Sequence, residues 1–332
     1  MYASSRESII VRARADVAAS QTFHAPEAFM RLYLHYLGNV LALAAIVFLG
    51  VKIVNHLHEI PDFQWRIQSF LTLSSALLFF VVVMYYASYV WVVLLRGGGI
   101  ALPLKDAYAI IGKSLIGKYL PGNIFHFVGR VALGTRQGIA TEAILLTMGI
   151  EAVVIALTAA TIAFIGLIIG DIQIPWLSQL LAQKDRLVLK LPITAGIAVV
   201  LLLLLRSDRL RAWVKPRLMY LHPGRIAVAI AIYVLVLMLH GVVIVILLNG
   251  LWSVQTGIPW YRFSFGFSLA WLLGFIVPGV PSGIGIREAV FVGLFGKEIG
   301  EGLVVGLAIV LRIITSISDI LTFGIAYWLG QK

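Results

Sequence analysis

Apolar positions along this chain fall in long unbroken blocks, without the half-apolar stripes of water-facing helices. Six such blocks lie near 33–54, 69–95, 141–170, 187–205, 226–249 and 303–329. Each is long enough to cross about 30 Å of hydrocarbon as a helix rising about 1.5 Å per residue. The block at 187–205 opens on Lys190 and Pro192, and the block at 141–170 exceeds what a crossing needs, which predicts tilt or extension into solvent. Two further apolar regions, 108–131 and 265–296, are interrupted by Pro and Gly near their middles. The pattern predicts an all-α polytopic membrane protein with about six full transmembrane helices. Residues 1–30 carry Arg6, Glu7, Arg12, Arg14, Asp16 and Glu27 and lack the apolar centre of a signal peptide. They read as a cytoplasmic tail, and 31–332 as one transmembrane domain.

Polar residues between the blocks set the orientation. The 206–225 loop holds Arg206, Arg209, Arg211, Lys215, Arg217 and Arg225, and the amino-terminal segment holds Arg6, Arg12, Arg14 and Arg31. The 55–68 loop holds only Arg66 and the 250–264 loop only Arg262. Placing both termini in the cytoplasm puts the two basic-rich segments there, provided that neither interrupted region crosses completely. Each must then enter and leave on one face as a re-entrant hairpin.

Composition narrows the class. Of 332 residues, 61% are hydrophobic and 12% charged, against about 45–50% and about 25% in soluble domains. A soluble enzyme, a nucleic-acid-binding module and a disordered chain are thereby disfavoured. The net charge of +11 is carried by the loops and reads as topology and contact with anionic headgroups. The absence of cysteine excludes disulfides, thiolate nucleophiles, Cys-ligated zinc and iron–sulfur clusters.

The two interrupted regions repeat one another. Gly117, Pro121, Gly122 and Arg130 recur as Gly274, Pro278, Gly279 and Arg287 at a single offset of 157 residues. Three full blocks separate the copies, and an odd number of crossings inverts the second relative to the first. The expectation is two opposed re-entrant hairpins forming an inverted repeat, a pattern that marks the central site of transporters. Proline lacks the N–H that continues a helix, and glycine permits the reversal. Backbone groups freed at such a break cannot face lipid and must line protein or a wet cavity. The short helices that follow would point their positive ends at the membrane middle and favour an anion there. The extra Pro281, Gly283 and Gly285 predict a later helix start in the second copy and a deeper Arg287.

The candidate site follows from these breaks. Arg130 and Arg287 are paired phosphate receivers at the two mouths, or interfacial arginines whose charged ends snorkel to headgroups. Gly122 and Gly279 form the breaks, and Asn123 donates at or caps the start of its short helix. His126 reads first as a hydrogen-bonded structural histidine. Glu288 neutralises Arg287 or meets a cationic headgroup. Arg312 and Asp319, on one face of the last block, pair with each other or with neighbouring helices, because an intramembrane charge costs at least about 2.5–3.5 kcal/mol, or they form a site that binds headgroup or couples protons. Glu151 is a candidate partner for Arg312, or a protonatable coupling residue.

Other motifs fail. Gly112-Lys113-Ser114 ends like a phosphate-binding loop, but the required earlier glycine is Ala107. His56, His58 and Glu59 sit in a loop without an obvious third ligand position. Gly166 with Gly170, and Gly302 with Gly306, fit close helix packing.

At the two signatures the chain resembles a known family. Lys118-Tyr-Leu-Pro-Gly-Asn-Ile-Phe-His-Phe-Val-Gly-Arg130 with Arg136-Gln-Gly138, and later Pro278-Gly-Val-Pro-Ser-Gly-Ile-Gly-Ile-Arg-Glu288, resemble the transmembrane domain of lysylphosphatidylglycerol synthases over about 30–330. The resemblance implies a flippase-like domain of the bacterial inner membrane, associated with moving aminoacylated phosphatidylglycerol. Full-length members add a soluble aminoacyltransferase domain; this chain stops at Lys332, so the expectation is the flippase-like part alone, and not an enzyme. The aminoacyl lipid does not carry over with the motifs. The expected function is translocation or binding of an anionic phospho- or glycolipid headgroup between leaflets, with no cofactor, metal or nucleic acid. Expected protein partners are a second copy or envelope-biosynthesis enzymes. One rival is a membrane enzyme acting on a lipid phosphate or lipid-linked sugar through His126 with Glu151 or Asp319. The other is a non-transporting scaffold of an envelope-biosynthesis complex.

Overall fold

A computed structural model describes residues 65–119, 124–169, 222–277 and 281–330. The expected crossings at 33–54 and 187–205, the tail, the His56–Glu59 cluster, and Gly122, Asn123 and Gly279 lie outside the described residues. The described residues form eight helices: α1 Ile67–Gly97, α2 Leu104–Leu115, α3 Phe125–Arg136, α4 Thr141–Ile169, α5 Pro223–Trp252, α6 Trp260–Ile276, α7 Ile286–Ile299 and α8 Glu301–Leu329. A 3-10 turn, Ile116–Tyr119, continues α2, and another, Pro281–Gly283, precedes α7.

Four of these helices are long and apolar enough to cross a membrane, namely α1, α4, α5 and α8. They coincide with four of the expected blocks. Their packing is inverted relative to a soluble protein. In α8 the buried face carries Gly302, Gly306, Ser318, Asp319, Thr322 and Ala326, while Ile313, Ile317, Ile320 and Ile325 point outward. In α4, Thr147, Thr158, Ala159 and Gly166 are buried, and Leu145, Val153, Leu157 and Ile165 are exposed. Lipid solvates large aliphatic side chains as well as a core would, so small and hydroxylated residues take the helix contacts. The expected packing role of glycine holds at Gly166, where a Cβ would lie 2.6 Å from Phe265. Larger residues close the centre, with Phe263, Phe291 and Phe295 in ring contact among Leu247, Leu248 and Leu307.

The interrupted regions are pairs of short helices. The helices α2 and α3 have 12 residues each, about 18 Å, well under the hydrocarbon thickness of about 30 Å. The second pair, α6 and α7, has 17 and 14 residues. Within each pair the two helices pack on each other, and the two 3-10 turns touch across the molecule.

Neighbour relations give the repeat a three-dimensional form. Exchanging α1–α4 for α5–α8 maps every substantial helix contact onto another. The contacts α1–α2, α2–α3, α3–α4 and α1–α4 become α5–α6, α6–α7, α7–α8 and α5–α8. The crossed contacts α2–α8 and α1–α8 become α6–α4 and α5–α4, and α1–α5 maps onto itself. The offset read from four residues therefore describes two four-helix units with the same internal packing.

Candidate functional site

The two 3-10 turns meet beside a cavity of about 390 Å³ to which all eight helices contribute. Four cations and three carboxylates line it: Lys118, Arg130, Arg287 and Arg312 against Glu151, Glu288 and Asp319.

Arg130, a turn into α3, reaches Glu151 of α4 at 2.6 Å and stacks over Trp91, 4.9 Å from the ring centre. The other carboxylate oxygen of Glu151 accepts from the Tyr233 hydroxyl of α5 at 3.0 Å. Glu151 therefore meets Arg130, and the expected pairing with Arg312 does not form.

Arg312 pairs instead with Glu288: Nε donates to one carboxylate oxygen at 2.9 Å, Nη2 lies 2.6 Å from the same oxygen without hydrogen-bond geometry, and Nη1 approaches the Ser282 carbonyl at 3.5 Å. The second oxygen of Glu288 accepts from the Gly285 backbone N–H at 2.7 Å, a carboxylate cap on α7. Glu288 thus pairs with Arg312 and makes no ion pair with its sequence neighbour Arg287. Asp319, 3% exposed, is held by Lys118 at 2.5 Å and by the Tyr119 hydroxyl. Of the two expected pairings the one with neighbouring elements holds and the Arg312–Asp319 pair does not form: seven residues along a helix span about 10.5 Å, and each group finds a nearer partner. Asp319 ties α8 to the first break and Arg312 ties it to the second.

Arg287 enters from the first turn of α7, which starts late as expected. Its stem runs past Gly274 and Gly283: a Cβ on Gly274 would lie 2.6 Å from its Cγ, and one on Gly283 2.8 Å from its Nε. The guanidinium lies over Trp271 at 5.6 Å. Among the described residues no carboxylate pairs with it, and its buried Nε has no hydrogen-bond partner. The tight path is made by positive φ at Ser282 (53°), Gly283 (68°) and Gly285 (86°), the conformations glycine adopts at low cost.

His126 was expected to be hydrogen-bonded, yet its buried Nδ1 has no partner and its ring lies 3.8 Å from that of Phe127. The sequence reading passed over Lys118, Tyr119, Tyr233, Trp271 and His240. His240, in the middle of α5, donates from Nδ1 to the Val236 carbonyl at 2.6 Å and stacks on Phe267. Its signal was legible as an ionisable residue inside a transmembrane block. Lys118 stands inside the first signature. No group of His, Asp and Glu suited to a metal occurs among the described residues.

The repeated glycines support different neighbours, and this gives a prediction. A Cβ at Gly117 would meet the His126 nitrogen and Phe125 carbonyl carbon at 2.7 Å, both backbone atoms. Gly117→Ala is expected to cost about 1–3 kcal/mol of stability, since backbone must move. Gly274→Ala meets only a flexible side chain and is expected to displace Arg287, impairing function more than melting temperature. Thermal unfolding in detergent, compared for the two variants, reads the difference; equal destabilisation would contradict it.

The family model for the lysylphosphatidylglycerol synthase TM region matches residues 36–321. No curated protein sequence matches the chain.

Proposed function

The chain belongs to the lysylphosphatidylglycerol synthase transmembrane-region family, a membrane family related to lipid handling, and from this premise we propose that it carries an anionic lipid headgroup between leaflets through its cavity. The observation that carries the reading is Arg287. Three ion pairs occupy Lys118, Arg130 and Arg312, and Arg287 remains as a cation with a buried, unpartnered Nε. An unpaired buried charge is costly, and a phosphate arriving there would be stabilised by charge-assisted hydrogen bonds. A volume of about 390 Å³ lies at the small end of ligand pockets, about 300–1,000 Å³, and suits a headgroup whose acyl chains stay in lipid. In this reading the short helix pairs enter from opposite faces, and movement of one four-helix unit against the other exposes the site alternately. The same reading has both termini in the cytoplasm, which the basic loops support, and the protein in a bacterial inner membrane.

The carrier reading also accounts for the carboxylates. A reaction on lipid phosphate would need a free acid–base group near His126. Glu151 is engaged by Arg130 and Tyr233, and Asp319 by Lys118 and Tyr119.

Reconstitution tests the proposal. Liposomes carrying a trace of acyl-labelled phosphatidylglycerol are treated with an impermeant quencher. Without protein only the outer leaflet is quenched. With it the inner-leaflet label is expected to become accessible, and the lipid recovered unchanged. Loss of accessibility change, or a new lipid species on chromatography, would overturn the reading.

A further inference from the structure

The two arginines of the repeat share a kind of neighbour that the repeat itself does not supply. Arg287 lies over the ring of Trp271, 5.6 Å from its centre, and Arg130 over that of Trp91 at 4.9 Å. Both distances fall within the about 6 Å over which a ring face attracts a cation. The tryptophans are not equivalent positions. Trp271 belongs to α6 and Trp91 to α1, and the offset of 157 residues carries them onto Ser114 and Leu248. The same pairing is therefore built twice, from different helices. Each ring is also braced. Trp271 stacks on Phe275, with centres 5.0 Å apart and planes 10° from parallel. Trp91 is fully buried and donates from Nε1 to the Thr147 hydroxyl at 3.0 Å.

We propose that Trp271 is a positioning residue, whose ring face holds Arg287 ready for a lipid phosphate in the place that a carboxylate would otherwise take. The inference rests on the carrier reading above and adds a residue to its site. A guanidinium over a ring uses its face there. Its N–H groups lie in its own plane and stay available to a forked acceptor such as phosphate. A carboxylate is drawn to those same N–H groups and competes with phosphate for them. Arg130 shows that alternative: Glu151 takes its Nη1 at 2.6 Å although Trp91 already lies against it. At Arg287 the ring is present, and no carboxylate among the described residues pairs with the cation. Trp271 thus offsets part of the cost of an unpaired charge in a membrane without closing it to an arriving anion. The contact serves the phosphate, whatever else the headgroup carries.

The experiment weakens the ring face and keeps the ring. Tryptophan analogues with increasing numbers of fluorine atoms are placed at position 271 alone, and movement of acyl-labelled phosphatidylglycerol is followed in the same proteoliposomes. Fluorine withdraws electron density from the face that attracts the cation and alters the shape of the indole little. The rate is expected to fall stepwise, about 3- to 30-fold across the series, at an unchanged melting temperature. A packing role alone would leave the rate level. Trp271→Phe is expected to lie between the wild type and Trp271→Leu, which keeps bulk without a ring. In an Arg287→Gln background, Trp271→Leu is expected to cause no further loss, because the two residues act as one unit. A rate unmoved by fluorination, or a full additional loss in the Arg287→Gln background, overturns the inference and leaves the carrier reading standing. No movement by the wild type overturns both. The fluorinated series carries the test if Trp271→Leu does not fold. Only a bilayer lipid bears the label, so a free phosphate ester gives no signal.

Discussion

Arg287→Gln is expected to reduce lipid movement roughly 10- to 100-fold while leaving the melting temperature unchanged or raised. Charge-assisted hydrogen bonds contribute about 1.5–3 kcal/mol each, and at about 1.4 kcal/mol per tenfold the loss of one such contact gives this range. Stability does not fall with it, because no carboxylate among the described residues depends on Arg287 and its Nε is already unsatisfied. Removing a partly buried cation that makes no ion pair relieves desolvation, and glutamine keeps a polar group in the slot between Gly274 and Gly283. Arg287→Lys is expected to recover part of the rate, since lysine retains the charge without the planar fork. Proteoliposome rates paired with thermal unfolding in detergent separate the two effects. Wild-type movement in a folded Arg287→Gln variant would sink the site, and a large loss of stability would make Arg287 a structural residue.

Glu288→Ala is expected to have the largest effect on the fold, about 3–5 kcal/mol of destabilisation. The substitution leaves Arg312 without a counterion and the Gly285 N–H without its cap, both beside the second break. Glu288→Ala combined with Arg312→Ala is expected to cost less than the sum of the singles by about 0.5–3 kcal/mol. Arg312→Ala combined with Asp319→Ala is expected to be close to additive, because those residues share no contact. Midpoints of thermal aggregation for the singles and both doubles test the pattern. Coupling in the second pair and additivity in the first would contradict the ion-pair assignment.

Much of the architecture was legible because its signals are local. The lengths of α1, α4, α5 and α8 follow from runs of apolar residues, and helix formation satisfies their backbones within each run. The interruptions were marked by Pro and Gly, and the late start of α7 by Gly283 and Gly285, whose backbones adopt positive φ. The offset joining Gly117 with Gly274 and Arg130 with Arg287 anticipated two units with matching neighbours. The same offset misled on chemistry. It suggested that both arginines have one role, yet Arg130 is held by Glu151 and Arg287 by no carboxylate among the described residues. His126 was misjudged for a related reason: whether a buried ring nitrogen finds a partner depends on what packs above it.

The sequence by itself determined the class of protein, four of the long apolar helices, the interruptions and the internal repeat, because hydropathy and helix interruption are properties of short stretches. Tertiary structure decided which charges meet. Arg130 and Glu151 are 21 residues apart, Glu288 and Arg312 24, and Tyr119 and Asp319 200. In the low dielectric of a membrane, each charge takes the partner that helix packing brings within about 3 Å, and sequence spacing does not encode that distance. Arg287 became the spare cation only when the other three had been paired, so the feature on which the functional reading rests belongs to the packed molecule and to no segment of it.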